Sequence, residues 1–112
     1  MSQRDEPYES LGLGLREWGD RRGAEVLGPL DTAGMDPTWI LRLRGRVIEA
    51  EVALFYGPRA EVAAYQLERP EDGMFVAWES GVSASRLVEL LDGLGQWEGG
   101  GERPGWLRVS SF

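Results

Sequence analysis

Between Thr38 and Tyr56 the chain alternates apolar and polar side chains twice over. Trp39, Leu41 and Leu43 fall on one side against Ile40, Arg42 and Arg44. Ile48, Ala50, Val52 and Leu54 then fall on one side against Glu49, Glu51 and Ala53. A period of two marks strands that bury one face and leave the other wet. Only Gly45-Arg46 separates the two runs, and glycine first in a two-residue loop suits a type II′ turn. Such a turn sets Arg42 opposite Glu49 and Leu41 opposite Ala50.

The same logic extends the sheet. Gly57-Pro58-Arg59 turns the chain into a strand over about 60–67. Pro70-Glu71-Asp72-Gly73, with proline early and glycine last, is a second strong turn. After it, Met74, Val76 and Trp78 alternate with Phe75, Ala77 and Glu79. Four strands joined by short turns make an antiparallel meander, with Trp39 and Trp78 on its core side.

On either side of the meander the period changes from two to that of a helix. Tyr8, Leu11, Leu15, Trp18 and Arg22 recur at spacings of three and four, and Pro7 suits a first helical turn. Gly12, Gly14, Gly19 and Gly23 each weaken such a helix by about 1 kcal/mol, so it depends on packing Leu11, Leu15 and Trp18 against a partner. Residues 24–37 read as a short extended segment and a loop. Ser83 is a plausible N-cap for a second helix, with Val82 and Leu87 as a hydrophobic staple. Leu87, Leu90, Leu91 and Leu94 form its apolar stripe, and Gly95 ends it. Residues 96–105, with Gly99-Gly100-Gly101, read as a flexible loop. Trp106, Leu107 and Val109 offer a short C-terminal strand.

The expectation is therefore an α+β fold in a single domain, residues 1–112, with residues 1–6 frayed. A four-stranded antiparallel meander carries the N-terminal and C-terminal helices on one face.

Composition then removes most chemistry. The 112 residues include no histidine, cysteine, lysine or asparagine. That excludes the usual general base, the thiolate nucleophile, the Schiff-base amine and the common zinc ligands. All twelve cations are arginines, which stay protonated. No enzyme, metal or cofactor is expected. A net charge of −7 disfavours duplex nucleic acid and anionic membranes and favours basic partners. No stretch approaches the ~20 apolar residues of a membrane span, and residues 1–7 lack the apolar core of a signal peptide. A cytoplasmic protein is expected.

The remaining candidates are weighed against plainer roles. Gly99-Gly100-Gly101 lacks the lysine and hydroxyl of a P-loop and lies between Glu98 and Glu102, so a linker is the better reading. Glu49 and Glu51 share a strand face and could hold a hard cation, or simply pair with Arg42 and Arg44 across the hairpin. Arg42, Arg44 and Arg46 near Trp39 and Tyr56 suggest single-stranded nucleic acid, which the net charge opposes. No spacing among the carboxylates selects a glycosidase pair. Trp97 and Trp106 border the glycine-rich loop. Either they cap the core's edge or they anchor a partner. Candidate partner-binding residues are thus Glu49, Glu51, Glu98, Glu102, Trp97 and Trp106.

Several segments together resemble bacterial polymorphic-toxin immunity proteins of the TriTu family. They are Leu15-Arg16-Glu17-Trp18 in the first helix, Gly45-Arg46 opening a strand and Leu54-Phe55-Tyr56-Gly57 closing it. Ala77-Trp78-Glu79 in the last strand and the leucine-rich helix from Leu87 to Leu94 complete the set. Trp78-Glu79-Ser80-Gly81 departs from the pattern by standing two strands later than the family's Trp-x-Ser-Gly. The resemblance implies no catalytic residues. It implies a protein that binds and neutralises a cognate toxin in the cytoplasm, and an acidic surface suits a basic toxin. The alternative is a small acidic chaperone or adaptor for a secreted or effector protein.

Overall fold

A computed structural model describes residues 5–30, 37–55 and 57–110, with side chains of the first helix described from Ser10 onward. Helix α1 (Asp5–Arg22) leads into β1 (Glu25–Leu27), β2 (Trp39–Arg44), β3 (Ile48–Phe55) and β4 (Arg59–Gln66). A 3-10 turn at Pro70–Asp72 precedes β5 (Phe75–Ser80), helix α2 (Ala84–Glu98) and β6 (Arg108–Val109). The strands form one antiparallel sheet in sequence order, β1 to β6.

The α+β class and the meander agree with the sequence pattern, but the sheet has six strands where four were expected. β1 comes from the segment read only as extended, and β6 is the short C-terminal strand. Each is a three- or two-residue edge, too short to show a period of its own. Three expectations fall partly or wholly on undescribed residues: the fraying of residues 1–6, the extended segment and loop over 24–37 (of which 31–36 lie outside the described residues), and Tyr56. The helix already runs from Asp5, inside the segment expected to fray.

Both helices cover the same side of the sheet. Leu11, Leu15 and Trp18 of α1 join Leu87, Leu90, Leu91, Leu94 and Trp97 of α2 in one core with Leu41, Ile48, Val52, Leu54 and Phe75. The glycines that weaken α1 are what let it approach. A Cβ on Gly12 would collide with the Trp39 indole, and one on Gly19 would press against Val26. Between the helices, the Trp18 indole N–H donates to Asp92 at 3.0 Å, and the Arg22 guanidinium lies 4.2 Å from the Trp18 ring.

Ser83 caps α2 as expected, accepting from the Arg86 N–H at 3.1 Å. The helix does not stop at Gly95, and Gln96, Trp97 and Glu98 are helical rather than part of a loop. Gly95 lies where a larger side chain would crowd Trp18, and the next turn buries Trp97 edge-on to Phe75 at 5.8 Å. The triple glycine ends the helix instead, with the Gly100 N–H donating to Trp97 and the Gly101 N–H to Gln96.

The β2–β3 hairpin differs in register. Arg42 faces Glu51, Leu43 faces Ala50 and Arg44 faces Glu49, two positions from the expected pairing. The central residues are Arg46-Val47, closed by the Gly45 N–H to the Ile48 carbonyl at 2.9 Å. Gly45 does not adopt the positive φ of a type II′ turn. The cause lies outside the hairpin: Glu98 sits against Gly45 and accepts from the N–H groups of Arg46, Val47 and Ile48 at 2.9, 3.0 and 3.0 Å. A Cβ at Gly45 would strike that carboxylate, so the glycine supplies clearance rather than a left-handed turn. A shift of two positions keeps every side chain on its face, which is why the alternation survived the wrong register.

Candidate partner-binding surface

No described element covers the second face of the sheet. Directly paired residues share a face, so the register gives its rows. One row runs Glu25–Arg42–Glu51–Ala63–Val76–Arg108, and the next runs Leu27–Ile40–Ala53–Glu61–Trp78. Where the small side chains of Ala53 and Ala63 meet Val76, the surface dips into a depression of about 310 Å³, walled by Glu51, Glu61 and Trp78. Trp78 is 71% exposed.

That position corrects the sequence reading, which set Trp78 in the core. Phe75 is the inward residue of β5, opposite Ala64, and two-residue alternation then sends Val76 and Trp78 outward. Both faces of this strand are apolar in sequence, so alternation alone does not say which one the helices cover. Trp18 and Trp39 are in the core as expected.

The proposed partner-binding residues do not converge. Glu49 and Glu51 lie on the open face, each held by a neighbour. The Tyr65 hydroxyl donates to Glu49 at 2.7 Å, and Arg42 bridges Glu51 at 3.2 Å and Glu25 at 3.3 Å. The bond to Glu49, aided by desolvation and the carboxylate charge, raises the Tyr65 phenol above its ordinary pKa, although Arg44 opposes the shift. Trp97 is 2% exposed and part of the core, so it offers no surface to a partner. Glu98 is the clasp of the β2–β3 turn. Burial pushes its carboxyl upward, but the backbone N–H groups of Ile48, Arg46 and Val47 outweigh that and hold it below the usual carboxylate range. Glu102 is exposed in the loop after α2. Trp106 is half-buried and packs by the core, its indole close to Gly93 of α2.

The electrostatics are mixed rather than uniformly acidic. Glu25, Glu49, Glu51 and Glu61 share the open face with Arg42, Arg44, Arg59 and Arg108, and Arg59 lies 3.6 Å from Glu61. On the covered side, Arg86 of α2 grips Glu79 of β5 at 2.7 and 2.9 Å, a bidentate bond that lowers the Glu79 pKa. Among the described residues, no three acidic side chains gather into a metal-ligating cluster, and no helix is long and apolar enough to cross a membrane.

The open face thus carries an exposed indole at the rim of a small-residue floor, with carboxylates and guanidinia around it. Sequence reasoning missed Trp78 and Glu61. Alternation through β4 marks Glu61 as polar against Ala60 and Val62, whereas only the β4–β5 register and the burial of Phe75 put Trp78 on the same face. No family model matches the chain, and no curated protein or solved structure matches it.

Proposed function

We propose that this protein is a non-enzymatic binding protein of the immunity type, which neutralises a folded toxin by docking it on the open face of the sheet. The exposure of Trp78 beside the Ala53–Ala63 floor carries the reading. Aromatic side chains dominate interface energetics when a partner buries them, and their neighbours then act mainly by excluding water. Glu51 and Glu61 flank the floor and, with a net charge of −7, favour a basic partner. The resemblance of the helix and strand motifs to TriTu immunity proteins supplies the functional class, and the site of action is then the cytoplasm.

The experiment is co-expression with the product of the neighbouring gene, read as rescue of growth. It is paired with binding kinetics of a variant reversed at Glu51 and Glu61 to arginine. Rescue by the wild type, with association slowed and its salt dependence flattened in the variant, supports the proposal. Failure of every neighbouring toxin candidate to be neutralised removes the immunity reading. An obligate dimer that binds only unfolded segments would favour the chaperone alternative.

A further inference from the structure

β5 outruns the strand that covers its outer edge. β6 pairs with Phe75 and Val76 only, whereas β5 continues to Ser80. Backbone groups of an antiparallel strand point alternately to its two neighbours. The Ser110 N–H donates to the Met74 carbonyl at 2.8 Å on the β6 side, and the Gly81 N–H donates to Pro58 at 2.8 Å on the β4 side. By that alternation Trp78 and Ser80 direct their N–H and C=O groups outward, past the end of β6. Among the described residues no strand meets them.

In register, Trp106 would be the next partner of Trp78. The chain has already left the sheet there, turned by the Leu107 N–H to the Pro104 carbonyl at 3.2 Å, and the Trp106 indole is folded toward Gly93. A groove of about 440 Å³ opens in the gap, between Ala77–Glu79 on one wall and Gly105–Trp106 on the other, with Arg108 at its end. The two indoles stand on opposite sides of the sheet plane, Trp78 on the open face and Trp106 on the helix side.

We infer that this edge accepts an extended segment of another protein as an added strand, bonded to the backbone of Trp78 and Ser80 and held between Trp78 and Trp106. Three features define the segment. Unpaired donors and acceptors at two-residue spacing call for an extended backbone, as in strand addition generally. Successive side chains of such a strand face opposite ways, so two adjacent apolar residues meet one indole each. Glu79 is already occupied by Arg86, while Arg108 has no described acid within ion-pair distance, which favours an acidic side chain on the incoming strand. A net charge of −7 on each copy opposes the pairing of two identical edges. The edge shares the Trp78 indole with the open face but is bonded through outward backbone groups, so Ser80→Pro tests it separately, whether or not that face binds a toxin.

The test selects binders from a displayed library of random short peptides, using the intact protein as bait. Selected peptides should carry adjacent apolar residues with a nearby acid, and should slow hydrogen exchange at the Trp78 and Ser80 amides. Ser80→Pro removes an outward donor and no internal bond, so it should keep the unfolding midpoint while weakening the peptides at least about tenfold. Trp106→Ala should weaken the same peptides, which secures the test if the proline variant is unstable. Binders unaffected by both variants, peptides that protect amides elsewhere, or no binders at all would overturn the inference. Concentration-dependent protection of those two amides in the protein alone would assign the edge to a second copy and overturn it as well.

Discussion

On the helix-covered face of the sheet, Leu41, Val52 and Val62 lie side by side under Leu87, Leu90, Leu91 and Trp97, all nearly inaccessible to water. On the opposite face, the row Leu27–Ile40–Ala53–Glu61 ends at Trp78, which stands 71% exposed. The same strands thus present a tryptophan-rich core on one side and a single uncovered tryptophan on the other. Apolar character alone does not separate the two faces. What separates them is which parity of each strand the two helices meet. Trp97 and Trp78, both tryptophans, are placed oppositely: one holds α2 to Phe75, and the other stands exposed.

The sharpest way to break this comparison is to truncate matched positions on the two faces. Trp97→Ala should cost about 3–5 kcal/mol and Leu90→Ala roughly 2–5 kcal/mol in chemical denaturation, because each leaves a cavity in packed surroundings. Trp78→Ala should stay within about 0.5 kcal/mol of wild type. Comparable losses for Trp78 and Trp97 would mean that the assignment of the two faces is wrong.

The clasp between α2 and the hairpin gives a smaller effect. Glu98→Ala leaves the N–H groups of Arg46, Val47 and Ile48 without their acceptor and should cost roughly 1–3 kcal/mol. Because the Glu98 carboxyl is depressed in the folded state, its stabilising contribution is present above the unfolded carboxylate pKa of about 4.3 and is lost as pH falls through the lower folded value. Glu79, depressed by Arg86, adds a loss in the same direction. Denaturation between about pH 7 and pH 3 should therefore show a falling stability that flattens in Glu98→Gln. An acid limb identical in the two proteins would remove the clasp from the account.

The reach of the sequence differs between the two faces for a physical reason. Period-two alternation in β2 and β3 identified their buried residues, since both strands have charges on the far side. The leucine stripe and Ser83 cap of α2 were equally legible, because local periodicity and capping act within a few residues. The hairpin register was not, since Glu98 acts on it from about fifty positions away in sequence. The end of α2 differs from the sequence pattern because Gly95 reads locally as a stop, whereas the burial of Trp97 carries the helix onward to Glu98. Trp78 was misplaced because Phe75, Ala77, Val76 and Trp78 make β5 apolar on both faces. Of the residues proposed for partner binding, only Glu49 and Glu51 fall on the open face.

Smaller effects are expected on that face itself. Removing the exposed Arg42–Glu51 pair should change stability by about 0.2–1 kcal/mol in a double-mutant cycle, less at high salt. Tyr65 should ionise above the ordinary tyrosine value of about 10 in a spectroscopic titration, and Glu49→Gln should bring it back down. Since the folded pKa is raised, any stability from this bond is present below the unfolded pKa and is lost as pH climbs through the folded one.

The most direct test of the central claim is the affinity of Trp78→Ala for the proposed partner, the neighbouring-gene product that the wild type neutralises, measured together with the variant's unfolding midpoint. The open-face account expects an unchanged midpoint and a dissociation constant raised about thirtyfold or more, the 2 kcal/mol scale of an interface hot spot. An unchanged dissociation constant in a fully folded variant would contradict it.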